Sequence, residues 1–198
     1  MNDFERIPET SVDRNNIQPW FRGDTNRFLF RTHVDIYRNH LGGLMLIKPV
    51  HEEDYRVLFI TEVGIKVLDM EFLGSGDFKL HYCIDALNRK SVLETLKNDI
   101  DLLLSPVPES TKIKMMKDRQ TGNILIKSKE RRSVTYYFLE DHYRVNKAMR
   151  RNGCMKKTQM TIYSTGFSEI DSIHICHSPV KLNIYLSKLN ENKSEISE

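Results

Sequence analysis

The sequence predicts a mainly β protein with α structure added, an α+β chain built on one large curved antiparallel sheet. Three observations lead there. Apolar residues recur with a period of two through most of the chain. One segment alone switches to the helical period. Turn residues separate the periodic runs at short intervals, too close together for crossover helices. With 198 residues, of which 39% are hydrophobic and 29% charged, the chain is long enough to bury a core without staples.

Residues 1–26 read as an irregular lead-in, because Pro8, Pro19 and Gly23 interrupt any period. Trp20 and Phe21 are its apolar exceptions and are candidates to help plug the fold. From Phe28 the alternation sets in, with Phe28, Phe30, Thr32, Val34 and Ile36 on one face and Arg31, His33 and Asp35 on the other. A strand over Leu44–Lys48 follows Gly42-Gly43 and is expected to stop at Pro49. Glu52-Glu53-Asp54 reads as a charged turn. Tyr55, Val57 and Phe59 then share a face, and beyond the Gly64 turn so do Leu68, Met70 and Phe72. Gly74-Ser75-Gly76-Asp77 supplies the positive φ that a hairpin into Phe78–Tyr82 demands.

The helix is expected at about 89–104. Val92, Leu93, Leu96, Ile100, Leu103 and Leu104 form an apolar stripe, and Glu94, Lys97, Asn98, Asp99 and Asp101 fall on the wet side. Ser91 with Glu94 fits a capping box, with Asn88 as the alternative cap, and Pro106 and Pro108 end the helix. Seven further strand candidates follow, from Lys112–Lys117 to Lys181–Leu186, including Tyr143–Met149. The polar residues 190–198 read as a tail. The strands total eleven or twelve, and residues 27–189 are expected to form one domain.

Composition excludes several classes. The longest apolar runs, Leu44-Met45-Leu46-Ile47 and Val57-Leu58-Phe59-Ile60, fall far short of the ~18–20 residues of a membrane helix. The first residues carry neither a basic nor an apolar leader region, so no signal peptide is expected in this chain. The net charge of +3 is weak, and nucleic acid is not an expected partner. Lys127-Lys129-Arg131-Arg132, and Arg150-Arg151 followed by Lys156-Lys157, read as solvated loops rather than as a site for nucleic acid or anionic lipid. Cys83, Cys154 and Cys176 are too few and too scattered for a disulfide scaffold.

No catalytic chemistry is legible. Gly74-Ser75-Gly76 leads into a strand rather than a helix, so it offers no phosphate-binding helix terminus. His174 and Cys176 share a strand face while His177 points away, leaving at most two ligands where zinc wants four. Neither metal nor cofactor is expected, and the chain is read as a non-enzyme. Asp69 and Glu71 would be costly to bury unpaired, so Leu68, Met70 and Phe72 are taken as the inward face of their strand. One four-turn helix cannot cover some eleven strands. Either something else fills the concave side or it stays open as an apolar cavity, whose candidate residues are then Tyr55, Val57, Phe59, Leu68, Met70 and Phe72 on the sheet and Leu96 and Ile100 on the helix.

The residues from Phe28 to Leu104 resemble a known family. The phrases that carry the likeness are Val34-Asp35-Ile36-Tyr37, Leu41-Gly42-Gly43-Leu44-Met45-Leu46-Ile47-Lys48 and Tyr55-Arg56-Val57-Leu58-Phe59. With them go Val67-Leu68-Asp69-Met70-Glu71-Phe72, Phe78-Lys79-Leu80-His81-Tyr82 and the helix end Asp99–Leu104. They are similar to the LolA/LolB-like superfamily of envelope lipoproteins, most closely to a LolB-like branch. The resemblance implies an unclosed half-barrel of about eleven antiparallel strands, with helices as a lid over an apolar cavity. It implies a non-enzymatic role in binding the acyl chain of a lipid or lipoprotein, and a periplasmic site, anchored at the outer membrane by a lipid on an N-terminal Cys. No Cys stands near residue 1, so such an anchor is expected only on a precursor segment. The alternative is a structural or adaptor lipoprotein that fills its own core and works through protein partners.

Overall fold

The structure, a computed structural model, describes residues 3–9, 17, 20–21, 27–36, 38–51, 54–104, 112–130, 133–140, 144–153, 156–165, 169–179 and 181–189. The expected tail 190–198, the proline stop at 106 and 108, Cys154 and most of the lead-in lie outside those residues. The strands of the first half are β1 (Phe4–Ile7), β2 (Phe28–Ile36), β3 (Asn39–His51), β4 (Asp54–Thr61), β5 (Lys66–Phe72) and β6 (Phe78–Cys83). The helix α1 (Lys90–Leu104) follows. Then come β7 (Lys112–Asp118), β8 (Ile124–Glu130), β9 (Ser133–Leu139), β10 (Val145–Asn152), β11 (Lys156–Thr165), β12 (Glu169–Ser178) and β13 (Leu182–Lys188).

All thirteen strands belong to one antiparallel sheet in the order β1-β7-β8-β9-β10-β11-β12-β13-β2-β3-β4-β5-β6. The terminal strands β1 and β6 do not pair, so the half-barrel is unclosed. Register aligns the inner face across it. Met115, Ile126, Tyr137, Ala148, Met160, Ile175, Ile184 and Val34 are successive cross-strand partners from β7 to β2. All eight are buried, and α1 lies on their side of the sheet. The period-two pattern therefore has a single cause: each strand turns alternate side chains to one shared core.

The sheet exceeds the expected strand count because β1 joins it. Residues 4–7 had read as irregular, since four residues carry too little period to register. Pairing of Phe4–Ile7 with Asp118–Met115 makes them a strand. Elsewhere in the lead-in, Phe21 is fully buried and meets Phe28 and Phe30 edge to face, while Trp20 Nε1–H donates to the Val145 carbonyl at 2.7 Å.

β3 runs longer than the expected Leu44–Lys48, through both Gly43 and Pro49. Gly43 is required there, because a Cβ would collide with the Ile60 carbonyl oxygen and the Phe59 ring of β4. Pro49 lies beyond Ile47, the last residue of β3 in the described pairing with β2, where a missing N–H costs that ladder nothing. The hairpin at Gly76 has the anticipated positive φ of 86°, and Leu73 N–H donates to the Asp77 carbonyl across it.

Candidate functional site

α1 packs its stripe onto the inner face of β2, β3, β12 and β13. Its N-terminal cap is neither Ser91 nor Asn88. The Arg89 carbonyl accepts the first bonds, from Val92 and Leu93 N–H, because the turn Ile84–Asn88 already bends the chain into the helix. A small cavity of about 40 Å³ remains between helix and sheet. Val92, Leu96, Ile100 and Leu103 form its roof. Its floor is Val34, Ile175, Ile184 and neighbours on β3, β4, β5 and β13. Among the described residues every one that lines it is apolar except Asp99.

Of the eight candidate residues, Phe59, Leu68, Leu96 and Ile100 line this cavity together. Tyr55, Val57, Met70 and Phe72 are buried further along the same inner face, in the continuous core, and do not line it. The division follows the position of α1, which strand alternation cannot report.

Asp99 overturns its expected place on the wet side, being only 1% exposed. It lies three residues after Leu96 and four before Leu103, inside the apolar stripe. Its partner is His177, whose Nε2 lies 2.9 Å from Asp99 Oδ1. His177 shares the inner face with Ile173 and Ile175 by strand parity, which turns it to the helix. The Leu182 carbonyl, 3.2 Å from His177 Nδ1, can only accept, so Nδ1 carries a proton. The proton between Nε2 and Oδ1 is then shared by the pair, and Asp99 Oδ2 has no hydrogen-bond partner among the described residues. Burial raises the Asp99 pKa, against the opposing pull of His177. Burial works against a charged His177, but the Asp99 hydrogen bond and charge outweigh it and raise its pKa. A spacing argument could have found this pair: a carboxylate within an apolar stripe demands a partner on the facing strand.

A second tie holds the helix. Arg150, expected in a solvated loop, is only 8% exposed and lies in β10. Its guanidinium donates to the Asn98 carbonyl at 3.2 Å and to Thr135 Oγ1 at 3.3 Å, and it faces Asp101 at 3.8 Å. Asp69 is buried as well, but paired: Arg56 donates to both carboxylate oxygens at 2.9 and 3.0 Å, and Lys66 adds a third bond. These bonds, Arg56 first, bring its pKa down to about 2. The inward direction of Leu68, Met70 and Phe72 holds regardless.

His174 and Cys176 lie on the outer face, where His174 stacks on Tyr185 with ring centroids 4.3 Å apart. Among the described residues no three His, Cys, Asp or Glu side chains form a metal-holding group. No helix among them is long and apolar enough to cross a membrane.

No family model and no curated protein sequence matches the chain. Solved structures do. A Vibrio parahaemolyticus domain assigned to outer-membrane lipoprotein sorting matches with a TM-score of 0.54 at 11% identity, covering 89% of this chain and 87% of that one. A LolA superfamily protein from Nitrosomonas europaea matches with a TM-score of 0.51 at 8% identity, covering 86% and 87%. At such identities the likeness is one of fold: an unclosed antiparallel half-barrel carrying a helix, as in LolA superfamily proteins.

Proposed function

We propose that this half-barrel, with the fold of LolA superfamily proteins, is a non-enzymatic binder of an apolar chain in the bacterial envelope. The ligand class is the acyl chain of a lipid or lipoprotein, and the compartment is the periplasm at the outer membrane. The working unit is the domain over residues 27–189, with Phe21 packed into it. The observation that carries the reading is the cavity under α1, whose only polar lining residue among those described is Asp99.

The cavity of about 40 Å³ has room for roughly two or three methylene-sized groups, so a whole acyl chain enters only if α1 lifts. Each CH₂ that replaces the helix stripe against the sheet recovers about 0.8 kcal/mol, which offsets the lost contacts of Leu96, Ile100 and Leu103. Lifting also breaks the Asp99–His177 and Arg150–Asn98 ties. Phe59 and Leu68 meet the chain first, while Tyr55, Val57, Met70 and Phe72 extend the same apolar floor.

The test is an apolar fluorescent probe displaced by a long-chain fatty acid, with solvent extraction and mass spectrometry of the purified protein. Binding at one site is expected in the parent. In Ile184→Phe, where the larger ring takes up the free volume, binding should be lost while the fold is kept. A parent that binds no probe and releases no acyl species overturns the reading. The second reading, an adaptor with a self-filled core and protein partners, then leads; the cavity's small volume favours it.

A further inference from the structure

We propose that the outer face of β7–β11 is a docking surface for an anionic lipid bilayer. Register brings scattered cations of the sequence onto that one face. Lys112 lies directly opposite Lys129, Lys114 opposite Lys127, and Arg151 opposite Lys157. Val134 joins the first pair to the third, since it is the partner of both Lys129 and Arg151. One row across five strands thus carries four cations and a valine. At a strand spacing of ~4.8 Å it is about 19 Å long.

This arrangement costs stability, because like charges directly opposite on a sheet repel. Among the described residues no acid on the face relieves it. Among the described residues of β7–β11 the acids are Asp118 and Glu130. Asp118 sits at a strand end and accepts the Gln120 and Thr121 N–H groups of its own turn. Glu130 follows the inward parity of Ile126 and Ser128. Lys112, Lys114, Lys129 and Arg151 are exposed, and no salt bridge engages them among the described residues. Beside the row on the same face, Lys127 lies over the Tyr136 ring at 5.5 Å and Lys147 over Phe138 at 5.6 Å, so aromatic surface adjoins the charge.

A two-dimensional grid of cations on an outward-facing sheet fits a sheet of headgroups better than a single strand of phosphates, which asks for a groove. Five of the six opposed cations are lysines, point charges suited to diffuse attraction, whereas arginine's planar fork serves bidentate phosphate recognition. The proposal is independent of the cavity, which opens on the other face.

Flotation with phosphatidylcholine vesicles, with and without 30% phosphatidylglycerol, tests it on the full chain. Binding is expected only with the anionic lipid, and should fall steeply as salt is raised. At roughly a factor of five per cation, Lys112→Gln with Lys129→Gln should weaken binding about 25-fold, and arginine at the same two positions should restore it. Ile184→Phe should bind vesicles like the parent, which separates this surface from the acyl reading. Equal binding to uncharged vesicles, binding unchanged in the glutamine pair, or tighter binding to DNA than to anionic vesicles would each overturn the proposal.

Discussion

Asp99 and His177 show how a single pair decides the character of the site. Each has its pKa raised in the fold, Asp99 by burial and His177 by its partner against burial. A group raised in the folded state favours folding while protonated. Its contribution is complete below the unfolded value and fades as pH rises through the folded one. For His177 that window opens near pH 6.5 and extends upward. Thermal unfolding of the parent should therefore show stability falling from pH 6.5 to 8.5, and His177→Gln should flatten that slope. An unchanged slope in the variant would mean that the pair does not hold the shared proton. Asp69 has the opposite sign: its lowered pKa contributes stability above the ordinary carboxylate value, and that is lost as pH falls toward about 2.

At the scale of the element, α1 is both a core helix and a removable cover. Leu96 and Ile100 sit at the centre of its buried stripe. Leu96→Ala should cost about 2–5 kcal/mol in denaturant unfolding, since it enlarges a space the sheet cannot collapse to fill. A loss under ~0.5 kcal/mol would mean that the helix covers no core. The helix ends its tertiary contact through few polar ties, whereas each inner strand is held by two neighbours along its length. Hydrogen exchange should accordingly show α1 amides opening at lower free energy than those of β12 and β13. Equal protection would argue against α1 as the part that lifts.

For the whole molecule, an open sheet wide enough to curl needs filling on its inner side, and here the filling is shared. Phe21 of the lead-in, the α1 stripe and the large side chains Met70, Tyr137 and Phe30 occupy most of it. The cavity borders Asp99 and Ile184 and not Met70, which is why Ile184 rather than Met70 is the position where a larger ring discriminates a cavity from a core. The outer face divides by charge instead of by packing. Asp69 and Glu71 meet Arg56, Lys66 and His81 on β4–β6, while the cations of β7–β11 face one another.

By itself the sequence determined the class of fold, the helix and the inward face of β4 and β5, because those depend on local period and on the cost of burying unpaired charge. The alternations Tyr55-Val57-Phe59 and Leu68-Met70-Phe72 were legible for that reason. The tertiary structure alone decided which inward residues border free space, since that depends on where α1 rests over the sheet. It also decided that Asp99, Arg150 and Asp69 are buried, because each is sheltered by a partner distant in sequence: His177, the Asn98 carbonyl and Arg56. β1 became a strand only by finding β7 more than a hundred residues away, and the cation pairs became one surface only through register. Period reports a residue's own face; pairing, burial and charge neighbourhood belong to segments that meet only in the folded chain.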